Sequence, residues 1–417
     1  MRTLEFEGHE YLDGLASDPN ELGWMRGTPP PAEKCITFAS DAFLNFPQLR
    51  WSLSHMRELL PTVSVWRGPG QPTPLEGNPA GAHIEAITFV DANGSVRTFD
   101  QALHDTYTDG IVVLHRGRIV YERYFGALQP HLPHALHSVT KSYTGTLAAT
   151  LVYEGVLDES KELAHYLPEL SGTAFEDATL RQAMDMQLGI AYNEVYEDKL
   201  SSFWQHARAC GWRPRPIGYD GPQTLCEYIR TIRKEGMHGE FVDYKTVVTD
   251  TLAWVMSRTT GLSFERLLQE RLWAPLGCEE DGYIFIDSVG TPMAGAGLSA
   301  TARDLARFGE LMRQHGEWNG KQLVPPSFIE DLLSRKAPSK FPPGEDAGGY
   351  GYRSQWWVTN DELGAIVARG MHGQLLYVAP QLEMVVARLA SHPVASSTGN
   401  IPITMPMMVA LGRSLSG

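Results

Sequence analysis

The 417-residue chain has a formal net charge of −14, with 43% hydrophobic and 20% charged residues, the balance of an ordinary globular protein. It is long enough for two lobes sharing a cleft, and without a basic face to meet phosphate a nucleic-acid partner is excluded. Cys35, Cys210, Cys226 and Cys278 are scattered, with no Cys-x-x-Cys spacing and no pairing with nearby histidines, which argues against a disulfide framework and against a zinc site. Met1–Glu10 lacks the apolar core of a secretory signal and no apolar run reaches membrane-spanning length, so a cytoplasmic protein away from the membrane is expected.

Residues 1–83 are rich in turn formers, as in Gly27–Ala32 and Arg67–Pro74, with one helical candidate near Trp51–Leu60. They read as an extension packed on the body. From about Ile84 to Phe125 the pattern is strand-like, and Ile111–Phe125 is two β-rich runs around a short Gly-containing turn, a hairpin signal. Val139, Tyr143, Leu147, Leu151 and Val152 then recur at helical spacing until Gly155, so an amphipathic helix is expected there. Further helices are expected at Leu180–Gln187, Leu225–Lys234, Thr249–Thr259 and Phe264–Trp273. Strand character returns at Tyr350–Val358, Leu375–Val378 and Met384–Leu389, and Thr404–Leu415 reads as a closing helix. Strands early and late with helices between them imply an antiparallel sheet assembled from both ends of the chain. The expected division is an α/β sheet lobe from residues 84–175 and 280–417, with a mostly helical lobe, 176–279, inserted.

At the start of the first long helix stands Ser138-Val-Thr-Lys141, the one Ser-x-x-Lys in the chain. Residues three apart share a helix face, so hydroxyl and amine lie within reach of each other. A hydroxyl is a poor nucleophile until a neighbouring base takes its proton, and a lysine in a dry site gives up its charge easily enough to be that base. About one such tetrapeptide is expected by chance in a chain of this size, and Ser138 as a plain helix cap is the competing reading. The weight comes from context: strand, strand, then a serine at a buried helix start places the hydroxyl at a sheet edge that a substrate can reach.

His137–Thr146 followed by Glu154–Asp158 resembles the nucleophile helix of the serine β-lactamase and penicillin-binding-protein fold. Met184–Tyr196, Gly297–Arg307, Gln355–Trp357 and Met371–Gln374 resemble one branch of it, the 6-aminohexanoate-dimer (nylon-oligomer) hydrolases, relatives of class C β-lactamases and esterases. The resemblance runs in consistent order over about residues 90 to 415. It implies a serine-β-lactamase-like α/β (α+β) fold, an antiparallel sheet flanked by helices. The activity it implies is cleavage of a small-molecule linear amide or ester through an acyl-serine, with no metal or organic cofactor.

By that resemblance Tyr244-Lys-Thr246 matches the family's Tyr-x-Asn or Tyr-x-Ser box, making Tyr244 a second base or proton relay beside Lys141, with a shorter hydroxyl where an amide is usual. Ala368-Arg369-Gly370 stands in register with the Lys-Thr-Gly box but lacks its lysine, which argues against β-lactam substrates. Gly370 lets the backbone come close, and the amides of Ser138 and Met371 are the expected oxyanion hole. His372, Tyr196 and Trp357 are expected substrate contacts, with Tyr196 placed to bond a leaving amine nitrogen and at most one of Trp356 and Trp357 facing the cleft. Glu194, Glu197 and Asp198 read as solvated loop acids or as attractors of a substrate ammonium, and Asp304 with Arg307 as scaffold ion pairs. Rival readings are a carboxylesterase or acyltransferase, a β-lactamase or D-alanyl peptidase, and an inactive binding homologue. A homodimer is left open.

Overall fold

In the computed structural model, which describes residues 2–77, 81–334, 337–345, 348–360 and 363–416, the expected hairpin is β1 (Thr108–His115) and β2 (Arg118–Tyr124). Successive side chains of a strand point to opposite faces. Val112 and Leu114 accordingly enter one apolar cluster, and Ile111 and Val113 another on the reverse side. Both faces of this sheet are covered, so its central strands are mostly apolar on both sides, not alternating, with the buried Arg388 of the strand Met384–Ala390 an exception.

The late strands are β3 (Gly351–Arg353), β4 (Trp356–Val358), β5 (Ile366–Gly370), β6 (Gln374–Ala379) and β7 (Met384–Ala390). They pair in the order β3-β4-β5-β6-β7-β1-β2, every neighbour antiparallel. The sheet is thus assembled from both ends of the chain as expected. A mixed helix-and-sheet fold results, with the antiparallel sheet flanked by helices.

One face carries α1 (Thr140–Tyr153), α2 (Thr246–Thr260) and α3 (Ala302–Arg313). α3 lies close on the strands because Gly309 has no side chain: a Cβ there would sit 2.5 Å from Val385 and 2.7 Å from Leu376. Asp304 and Arg307 on this helix form a buried ion pair at 3.1 Å. The other face carries a short helix, Phe99–Asp105, and α4 (Ile401–Ser416).

Several expectations need correction. α1 is not amphipathic: every residue from Thr140 to Leu151 is buried, because it runs through the centre of the molecule. Phe99–Asp105 is a helix inside a stretch that reads as strand, started by a reciprocal Thr98–Gln101 capping box. Trp51–Leu60 holds only single turns, at Leu49–Ser52 and Met56–Glu58. A second, four-stranded sheet orders Thr62–Val65, Gly282–Phe285, Leu298–Ala300 and His134–Ala135. The N-terminal segment therefore supplies an edge strand, and Phe43, Leu49 and Met56 enter the main core with it.

Candidate active site

The last strand of that small sheet leads into Ser138. Leu136 N–H donates to Leu298 O at 2.9 Å, and the Thr140 hydroxyl donates to His137 O at 2.6 Å, folding the chain sharply between strand and helix. His137 takes a left-handed φ of 46°, an uncommon conformation for a residue with a side chain and one that clusters at functional sites. Ser138 follows in a single helical turn ahead of α1, its hydroxyl uninvolved in capping that helix.

Lys141, 1% exposed, sits directly behind it. Its Nζ donates to Ser138 Oγ at 2.9 Å, Thr246 Oγ1 at 2.8 Å and Gly295 O at 2.9 Å. Burial penalises the ammonium and pushes its pKa down to about 8, against the pull of the Glu194 and Asp250 carboxylates, which raise it. Thr246, the departure from the family box, is thus a lysine anchor at the start of α2.

Tyr244 reaches Ser138 with its hydroxyl, and its ring lies 4.8 Å from Lys141 Nζ. Burial first and Glu194 second push the phenol up, so it stays protonated at any working pH. Lysine and tyrosine are driven apart in proton affinity, the pattern that sorts a base from an acid.

Ser138, Tyr196, Tyr244, Trp357 and Met371 all line one cavity of about 550 Å³. Trp357 faces it and stacks on Tyr244 at 5.6 Å, whereas Trp356 is fully buried with its Nε1 donating to Thr146. Tyr196 donates its hydroxyl to Glu194 Oε2 at 3.1 Å and packs edge-on against Phe203. His372 is the expected contact that the fold turns away. Its φ of 59° swings the ring inward, where Nδ1 meets His392 O at 2.8 Å, and burial lowers its pKa to about 4. Of the loop acids, Glu197 and Asp198 are exposed, but Glu194 belongs to the site: it accepts from the Thr246 N–H at the N-terminus of α2 and from Tyr196.

Behind Lys141 lies a buried relay with no separate sequence motif. Asp250 Oδ1 accepts from the Gly295 N–H at 2.9 Å, anchoring the glycine whose own carbonyl, in the next peptide group, accepts from the lysine. Asp250 Oδ2 stands 3.2 Å from His206 Nε2, close but poorly aligned for a hydrogen bond, and His206 Nδ1 meets the Tyr192 hydroxyl at 3.0 Å. Asp250 lies four residues beyond Thr246 on α2, a spacing that was the one available signal. Asp250→Asn keeps an acceptor for Gly295 but removes the charge that raises Lys141. The acid limb of kcat/KM against pH should therefore move lower by up to about one unit; an unmoved limb would mean that Asp250 has no electrostatic hold on the lysine.

A serine hydroxyl, a buried amine and a phenol, gathered from the turn before α1, from α1 itself and from the loop before α2, form the arrangement of a serine hydrolase of the penicillin-recognising fold. A family model described as Beta-lactamase matches residues 96–399, and the chain belongs to that family. It is 35% identical over 364 residues, 85% of this chain and 88% of the relative, to a 6-aminohexanoate-dimer hydrolase of Paenarthrobacter ureafaciens. A solved Bacillus anthracis structure, described as a candidate 6-aminohexanoate-dimer hydrolase, superposes with a TM-score of 0.84 at 33% identity, covering 93% of this chain and 99% of that one. A family VIII carboxylesterase shares the fold at 17% identity and TM-score 0.56, over 73% and 91% of the two chains. The chain is a hydrolase with relatives that cleave amides.

Proposed function

We propose that this chain hydrolyses linear amides of the 6-aminohexanoate-oligomer type through an acyl-serine at Ser138. The observation that carries the reading is Lys141 Nζ held 2.9 Å from Ser138 Oγ in a site that lowers its pKa to about 8. Neutral Lys141 takes the Ser138 proton as Oγ bonds to the carbonyl carbon. The amides of Ser138 and Met371 hold the resulting oxyanion. As the C–N bond breaks, the amine nitrogen takes its proton from Tyr244, which is refilled from the Lys141 ammonium. A water molecule then attacks the ester carbon, giving its proton to Lys141, and Ser138 leaves with a proton from the same relay. Glu194 and Glu235 give the cavity wall an acidic side that suits a substrate ammonium, while Asp243 on the same wall is paired with Lys245.

Incubation with the 6-aminohexanoate dimer is the direct test. Release of free 6-aminohexanoate, with a mass increase on the Ser138 peptide after acid quench, is expected, and neither signal in a folded preparation would reject the reading. Esterase activity is the second reading, favoured by the apolar faces of Trp357 and Met371 in the cavity. The box lysine that is absent from Ala368-Arg369-Gly370, where alanine stands in its place, weighs against β-lactams. Four unpaired cysteines support a reducing, cytoplasmic setting, and no helix among the described residues is long and apolar enough to cross a membrane.

Tyr196 separates amide from ester chemistry. Tyr196 lines the cavity with its hydroxyl held by Glu194, another lining residue, and an amine departs only when its nitrogen is protonated or held. Tyr196→Phe is expected to lower kcat on a linear amide by at least about tenfold, the scale of one hydrogen bond, with a much smaller change on an ester. Equal losses on both substrates in one preparation would make Tyr196 a packing residue.

A further inference from the structure

Helix α4 is apolar on two faces. Ile403, Met407, Met408 and Leu411 are buried against the sheet. A second stripe, Ile401, Met405, Val409 and Ala410, is only half-buried and carries no charge. A surface helix ordinarily puts polar residues opposite its core face, yet here the first charge is Arg413, in the last turn. With Phe89 and Phe341 the stripe walls a groove of about 1180 Å³, larger than the roughly 300–1,000 Å³ of a drug-sized site.

The inner end of the groove is the wall of the catalytic cavity. Tyr244, Trp357 and Arg369 line both spaces, as do Glu345 and Thr398. Arg369 lies flat here, its guanidinium 4.1 Å from the Trp357 ring centre and 4.6 Å from that of Tyr350. The side chain that stands beside the missing box lysine is thereby turned into part of an aromatic surface, leading from the front of Tyr244 to α4.

We propose that this groove is a chain-binding subsite of the same active site, holding a long unbranched alkyl segment of a substrate whose scissile carbonyl sits at Ser138. The proposal rests on the acyl-serine reading above. An alkyl chain fits because the walls offer apolar contact along their length and share residues with the catalytic cavity at one end. Length selectivity follows, since each methylene taken out of water is worth about fourfold in affinity.

Two chain-length series on the intact protein test it: p-nitrophenyl esters from butanoate to dodecanoate, and N-alkyl amides of a short acid. In at least one series kcat/KM is expected to rise by at least about tenfold with length, and the series that responds tells which side of the scissile bond enters the groove. Val409→Trp and Ala410→Trp, both at half-buried positions, fill the groove and should erase most of the long-to-short ratio. No length gain in either series, or a gain that both variants keep, would overturn the subsite. Calorimetric titration of dodecanoate and butanoate into Ser138→Ala protein reads the groove without turnover, so its outcome stands apart from that of the hydrolase reading. Dodecanoate preference lost in Val409→Trp supports the subsite, and equal binding of the two acids overturns it. A dimer in solution that the tryptophan variants dissociate would assign the groove to a second copy of the chain and likewise overturn it.

Discussion

Ser138→Ala protein is expected to fold like the parent and to lose hydrolysis by at least about 10⁴-fold, the scale at which removing a serine nucleophile collapses a triad-type mechanism. The fold should survive because the hydroxyl caps no helix and its loss leaves Lys141 two of its three partners, Thr246 and Gly295. A stability change within about 1 kcal/mol is expected. Thermal unfolding followed by circular dichroism, beside steady-state rates on one amide and one ester, checks both halves. Full activity in a folded Ser138→Ala protein would end the serine mechanism.

Lys141→Arg is expected to cost nearly as much as Lys141→Ala, on the order of 10³-fold or more, because proton transfer from a positioned base contributes about 10²–10⁴ and arginine cannot supply it. The site is also built for a point donor. Three acceptors surround Nζ at 2.8–2.9 Å, from the turn ahead of α1, from α2 and from the loop at Gly295, and a planar guanidinium cannot satisfy that geometry. With Lys141 as the base of the proposed mechanism, the active form carries it neutral, so the rate should climb as pH rises through about 8 and fall away below it. If the arginine variant kept most of the rate, with the same limb near pH 8, the lysine would be structural and another group would have to be the base.

Much of this was readable from residues alone, and the reasons differ from element to element. The hairpin of β1 and β2 announces itself through β-branched runs around Arg116-Gly117, where the turn needs positive φ. Ser138 and Lys141 are legible because helical geometry puts positions three apart on one face. Glu194 was hidden because a loop glutamate beside other acids looks solvated, and only the fold brings it to the first amide of α2. Gly295 had no signal at all, since what it contributes is a backbone carbonyl. The burial of α1 was obscured by Thr140, Thr144, Thr146 and Thr150, hydroxyl residues that read as surface. In the structure Thr140, Thr146 and Thr150 donate to helix carbonyls, and Thr144 donates to Ala294 O as well. His372 was misplaced because motif position says nothing of a left-handed backbone that reverses the side chain's direction.

The three acceptors around Lys141 lie more than a hundred residues apart in two of three cases, at Ser138, Thr246 and Gly295. No short segment can assemble them, so an unfolded or half-made chain carries an ordinary, protonated lysine and an inert serine. Reactivity is therefore a property of the finished molecule, and it is absent from the nascent polypeptide on the ribosome. A newly synthesised chain is in this way spared from acylating itself on stray activated esters before it has a cleft to confine them. For the same reason, the fraction of chains that a serine-directed electrophile marks is a count of native molecules.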